Sequence, residues 1–356
     1  MKFDKRQILR NVGSSWFALS VNVVSGIFLS PYILHRLGDT AFGLWILIFS
    51  ITGYYGLFDL GIRSSIVRYV AKFSATNEQE ELNRLVNTAM FSYTGIGVVA
   101  MAITLIAAYY VNSIFRIPAE FLVTARWLLL MAGTAVSLGF PLGVFGGILE
   151  GLQRFYLLNF TTMSSTLIRV LLIVIALKHG RGLLTVALIT VSMPLLSGLI
   201  NAAAVFRHLN LRLGLQHVRR SSLRRIASYS GTTFVIIVAG RLRFKTDAMV
   251  IGTMVSAAAV TYFAIGSRLV DYASEVVSSL AQIFVPMSSQ SQAKGDLDAL
   301  RKIFVVGNRA CAFIIFPITA ILTILGKSVI EAWVGPKYVA TSYPVLLVLL
   351  YPTTLM

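Results

Sequence analysis

The chain alternates long apolar stretches with short basic ones, and this alternation predicts its elements. Uncharged runs of about 18 residues or more recur, each able to cross roughly 30 Å of hydrocarbon at about 1.5 Å per residue. They predict spans at 12–34, 42–67, 86–111, 121–149, 156–177, 183–206, 228–252, 257–285, 303–326 and 341–356. The alternating strand-length segments of a membrane barrel are not found. The expected fold is all-α and integral to the membrane, with about ten spans.

The pattern also repeats at an offset of 218 residues (298 against 80). Glu80-Glu-Leu-Asn-Arg-Leu85, before the third span, aligns with Asp298-Ala-Leu-Arg-Lys-Ile303, before the ninth. The same offset sets Phe42-Gly-Leu-Trp45 against Val260-Thr-Tyr-Phe263, and Tyr54 against Tyr272. A six-helix duplication follows, with residues 1–214 as the amino-terminal bundle and 215–356 as a carboxy-terminal bundle of four spans. Six spans per half is even, so the halves run parallel about an axis along the membrane normal, with a site between them. Met356 aligns with Leu138 in the middle of the fourth span, so the second repeat is expected to be truncated mid-helix.

Composition supports the membrane class, with 56% hydrophobic and 13% charged residues. The net charge of +17 would suit nucleic acid, but the placement of the cations excludes it. Loops on the amino-terminal side carry Lys2, Lys5, Arg6 and Arg10, then Arg68, Lys72 and Arg84, then Arg154, six arginines between Arg207 and Arg225, and Lys294, Arg301 and Lys302. The opposite loops hold only Arg36, Arg116, Lys178, Arg181, Lys327 and Lys337. This asymmetry places the amino terminus in the cytoplasm. The single cysteine, Cys311, excludes a disulfide framework and reads as a small buried apolar residue. No glycine-rich phosphate loop, HExxH or GxSxG occurs, and the four histidines lie in loops or at span ends. The expectation is a transporter and not an enzyme, with no cofactor beyond a coupling H+ or Na+.

Charges inside the spans carry the functional signal. The bases are Arg63, Arg126, Arg169, Arg241, Arg243, Lys245, Arg268 and Arg309; the acids are Asp59, Asp247, Asp271 and Glu275. A charge at the bilayer centre costs about 2.5–3.5 kcal/mol on insertion scales, so such residues line protein cavities or pair with one another. Arg241-Leu-Arg-Phe-Lys-Thr-Asp247 is the densest group, and one acid cannot neutralise three bases. Arg241, Arg243, Lys245, Arg268, Arg63 and Arg169 are therefore candidate cavity residues for an anionic group, which arginine grips through paired hydrogen bonds. Asp59, Asp247, Asp271 and Glu275 are candidates for ion coupling. Arg268, Asp271 and Glu275 share one helix face at i, i+3 and i+7; Asp59 and Arg63, at i and i+4, are expected to share another. Arg126 and Arg309 lie close enough to span ends to snorkel. Gly139, Gly143, Gly147 and Gly151 form a ridge read as a helix-packing face.

Four segments resemble the Wzx-type oligosaccharide-lipid flippases of the MOP superfamily. They are Leu37-Gly-Asp-Thr-Ala-Phe-Gly-Leu-Trp45, Phe58-Asp-Leu-Gly-Ile-Arg-Ser-Ser-Ile-Val-Arg-Tyr69, Gly147-Ile-Leu-Glu-Gly-Leu-Gln-Arg-Phe155 and Asp247-Ala-Met-Val-Ile-Gly252 running on to Tyr262. The resemblance implies two six-helix bundles around a central cavity, open alternately to the two sides. It implies flipping of undecaprenyl-pyrophosphate-linked oligosaccharide repeat units, as for O-antigen, across a bacterial inner membrane. It also implies polysaccharide polymerase and export machinery as partners, besides membrane lipids. The alternatives are a peptidoglycan lipid-precursor flippase, a MATE-like drug or cation antiporter and, in another class, a membrane-embedded glycosyltransferase or polymerase.

Overall fold

The computed structural model describes residues 5–115, 117–209, 211–219, 223, 246–293 and 296–355. All elements among them are helical. Helices α1 (Lys5–Leu37), α2 (Asp39–Gly53), α3 (Ile62–Ala75), α4 (Gln79–Ile114), α5 (Leu122–Gly151), α6 (Phe155–Lys178) and α7 (Leu183–His208) precede α8 (246–254). Then come α9 (Ala257–Ala293), α10 (Leu297–Val334) and α11 (Val339–Leu355). Eight helical segments among the described residues are long and apolar enough to cross a membrane. The predicted seventh span lies mostly outside the described residues, and the eighth is the part of α9 that carries Arg268, Asp271 and Glu275.

The chain forms two compact units, Met1–Ala258 and Ala259–Met356. In the first, α5 is the central element. One side of it packs Val144, Phe145 and Ile148 against Ile62, Ile66 and Val70 of α3 and Leu82, Leu85 and Val86 of α4. Nearer its start, Ala125, Leu128 and Leu129 meet Ala41, Leu44 and Ile48 of α2 and Leu183 and Ala187 of α7. Gly97 of α4 brings that helix onto the α5 backbone: a Cβ there would lie 2.5 Å from the Ser137 carbonyl oxygen. Outward-facing Val98, Leu105, Ile106 and Leu171 are more than half exposed, a surface suited to lipid.

The predicted second span is not one helix. Residues 39–53 are α-helical, Tyr54–Asp59 tighten into a 3-10 turn, and Leu60 (φ 50°) and Gly61 (φ 75°) take left-handed conformations before α3 starts. Glycine adopts such a φ without a Cβ clash; leucine does not, so the break is held by what surrounds it. Asp59 and Arg63 therefore do not sit one turn apart on a continuous helix.

In the second unit, Gly266 of α9 lets α11 approach until a Cβ would stand 2.6 Å from the Ser342 carbonyl oxygen. The Ser342 hydroxyl closes the same contact by donating to the Tyr262 carbonyl at 2.8 Å. The Tyr343 hydroxyl donates to the Thr323 carbonyl of α10 at 2.7 Å.

The segment after α7 is strapped to the start of α4. Asn87 donates to the Arg212 carbonyl and accepts from the Gly214 amide, both at 2.8 Å; Asn83 accepts from the Arg212 amide and Thr88 from that of Arg219, both at 3.2 Å. All three side chains are buried. Asn87→Ala leaves two peptide groups without their partner and is expected to cost about 1–3 kcal/mol. Thermal unfolding of the detergent-solubilised protein measures this, and an unchanged midpoint would speak against the clamp.

Candidate functional site

A cavity of about 930 Å³ opens within the first unit. Its walls follow from helical spacing. On α6, Thr162, Ser165, Thr166 and Arg169 recur at i, i+3, i+4 and i+7; on α7, Thr190, Pro194, Ser197 and Asn201 recur at i, i+4, i+7 and i+11. On α5, Ala132, Ala135, Gly139, Gly143, Gly146 and Glu150 form a stripe almost without side-chain volume until it ends in a carboxylate. Two polar faces thus meet a bare one, and Asn22 of α1, Thr52 of α2 and Arg63 of α3 complete the lining.

The glycine ridge divides in two. At Gly151 a Cβ would lie 2.8 Å from both the Val67 carbonyl oxygen and Val70 Cβ, and at Gly147 3.1 Å from Ile66. There the packing reading holds. At Gly139 and Gly143 a Cβ would meet nothing within 4 Å. The absent side chains leave space there in place of helix contact, a correction to the expected ridge.

Among the described residues the charged lining is one ion pair and one further guanidinium. Arg63 holds Glu150 with two hydrogen bonds, Nε to Oε2 at 3.2 Å and a terminal nitrogen to Oε1 at 2.7 Å, joining α3 to α5. Asp59 instead accepts a hydrogen bond from the Tyr93 hydroxyl of α4. The expected Asp59–Arg63 arrangement is thus replaced by two cross-helix contacts, because the Leu60–Gly61 break re-aims both side chains. Glu150 was missed in the sequence: the predicted fourth span ends at 149, one residue short of it. The signal was present in Gly147-Ile-Leu-Glu-Gly151, where an acid closes the glycine run.

Of the other predicted site residues, Arg169 lines the same cavity as Arg63. Arg241, Arg243 and Lys245 lie outside the described residues; the next residue, Thr246, hydrogen-bonds its hydroxyl to that of Tyr54 at 2.6 Å. Gly53 and Gly56, on either side of Tyr54, line the cavity. Asp247 is exposed on α8. Arg268, Asp271 and Glu275 lie on α9 in the second unit. Arg268 Nε donates to the Tyr272 hydroxyl at 3.2 Å, and its guanidinium carbon stands 5.0 Å from the centre of that ring, a cation–π contact. Arg126 and Arg309 are exposed, as snorkelling requires. Asn159 donates to the hydroxyls of Ser14 and Ser15 at 2.9 Å, which ties α6 to α1.

The helices around this cavity are arranged as in solved transporters of the MOP superfamily. An outward-facing multidrug-resistance MATE family transporter of that superfamily matches with a TM-score of 0.70 at 14% identity, over 98% of this chain and 79% of the other. The lipid II flippase MurJ, in an inward closed conformation, matches at 0.73 and 14% identity, over 98% and 73%. The profile of the polysaccharide biosynthesis protein family matches residues 8–292, and the chain belongs to that family. The uncharacterised membrane protein EpsK of Bacillus subtilis (strain 168) is 20% identical over 347 residues, which are 95% of this chain and 67% of that relative.

Proposed function

We propose that this protein flips polyprenyl-diphosphate-linked oligosaccharide repeat units across the bacterial inner membrane, with its amino terminus in the cytoplasm. The observation that carries the reading is the cavity in the first unit. Among the described residues its lining combines two guanidiniums with a single carboxylate, a positive balance, and the rest of its polar surface is hydroxyl and amide. Such a lining receives an anionic, hydroxylated head group, and membership of a polysaccharide biosynthesis family supplies the context. A cationic drug would call for the opposite polarity. Arg241, Arg243, Lys245 and Arg268 remain candidates for binding the diphosphate.

In this reading the lipid tail stays in the bilayer while the head group passes through the protein by alternating access. Asp59, Asp247, Asp271 and Glu275 remain the candidates for coupling to H+ or Na+. The diphosphate and glycan cross intact, so no chemical step is needed. Polymerase and export machinery would act on the delivered unit. The test is translocation of fluorescent undecaprenyl-diphosphate-linked oligosaccharide in proteoliposomes. Transfer well above that of protein-free liposomes is expected, and transfer at the protein-free rate would remove the transporter reading.

A further inference from the structure

The middle of the first unit's cavity has a chemistry different from its charged lining, and particular residues there can be matched to one part of the head group. Along α6, Asn159 and Arg169 are ten residues apart, about 15 Å at helical rise. Between these levels α6 contributes Thr162, Ser165 and Thr166, α7 sets Thr190, Ser197 and Asn201 among apolar side chains, and Gly139 and Gly143 of α5 face the space with no side chain. Two polar groups there are committed to the cavity. Thr166 is 8% exposed, and its hydroxyl makes no hydrogen bond among the described residues. Asn201 is 9% exposed; its Oδ1 accepts from the Thr161 hydroxyl at 3.1 Å, while its amide NH2 has no partner among the described residues.

Neither atom is among the polar groups sealed from solvent without a partner, so both face open space in the cavity wall and can hydrogen-bond a ligand. The two groups lie on facing helices above a bare helix surface, in a space at the upper end of the range that accommodates small-molecule ligands. Hydroxyl and amide groups suit a ligand that is neutral and can both donate and accept, as sugar hydroxyls do.

We propose that this section is a carbohydrate subsite. It takes uncharged sugar rings of the head group, with the Thr166 hydroxyl and the Asn201 amide as hydrogen-bonding groups and Gly139 and Gly143 setting the ring size admitted. The proposal rests on the flippase reading and adds the part of the cargo that the arginines do not read. It also explains why α5 carries glycine at 139 and 143, where neither helix packing nor a left-handed φ requires it.

The experiment compares two probes on the purified protein by native mass spectrometry: lipid-linked oligosaccharide extracted from the host membrane, and undecaprenyl diphosphate without sugar. Gly143→Leu projects into open space and is expected to fold. It should weaken binding of the glycosylated lipid by about tenfold or more while leaving the bare lipid within about twofold, since it removes volume and no charge. Thr166→Val, close to isosteric, should weaken only the glycosylated lipid, by about three- to tenfold. Variants that bind both lipids like the wild type, or that lose both in parallel, overturn the subsite. Wild-type protein that binds neither lipid overturns the flippase reading, and the subsite with it.

Discussion

Gly97→Leu should leave little folded protein. The Cβ that leucine brings would stand 2.5 Å from the Ser137 carbonyl oxygen, and the next atoms it meets are also Ser137 backbone. Side-chain rotation cannot relieve a clash with backbone, so α4 and α5 must separate. That opens the cluster in which Val86 and Tyr93 meet Val144 and Ile148. Overpacking a well-filled interior costs about 1–3 kcal/mol when side chains can move, and more is expected where only backbone can. Close helix approach at small residues is also a main source of association in lipid, where burial of apolar surface no longer drives it. Fluorescence-detected gel filtration of solubilised membranes reads the outcome: the monodisperse peak should collapse for Gly97→Leu and persist for Gly143→Leu. A normal Gly97→Leu peak would show that the two helices do not touch there.

Arg169→Gln should stop translocation while leaving the amount of protein in the membrane unchanged. The side chain lines the cavity from the α6 face that also carries Thr162 and Thr166, and the substitution removes its charge. Glutamine keeps hydrogen-bonding capacity but not the charge that a diphosphate needs, and transport should fall by about tenfold or more. Arg169→Lys keeps the charge and loses the planar fork, and should lie in between. Arg241→Gln and Lys245→Gln are expected to behave like Arg169→Gln. Proteoliposome translocation, normalised to reconstituted protein, measures all four. Full activity in Arg169→Gln would take this arginine out of the site.

Helices and spans were legible in the sequence because lipid imposes one rule along the chain: every peptide group must be satisfied within its own segment. The same rule hid the break at Leu60–Gly61, since residues 42–67 stay apolar enough to read as one helix. Gly53, Gly56 and Gly61 were the local hint, and none alone distinguishes a turn from a small residue in a span. Arg63 and Arg169 could be picked out because a cation in a span needs a reason. Glu150 escaped because the reason for an acid lapses one residue beyond a predicted boundary. The hydroxyl and amide lining of α6 and α7 gave no signal, since Thr, Ser and Asn cost little in a span. The glycine ridge shows the limit of spacing arguments: an interval of four places residues on one face, but only coordinates show whether that face meets a helix or a cavity.

The strap between α4 and residues 211–219 constrains how this protein can change over evolutionary time. Asn83, Asn87 and Thr88 hold main-chain groups of the segment and none of its side chains. Apart from Leu211, which packs against the α3–α4–α5 core, its residues can therefore drift in identity, basic ones included, provided the path of the chain is kept. The three polar positions on α4 cannot. Among relatives, the expected imprint is a fixed Asn-x-x-x-Asn-Thr facing a connector fixed in length and apolar at Leu211 but otherwise variable.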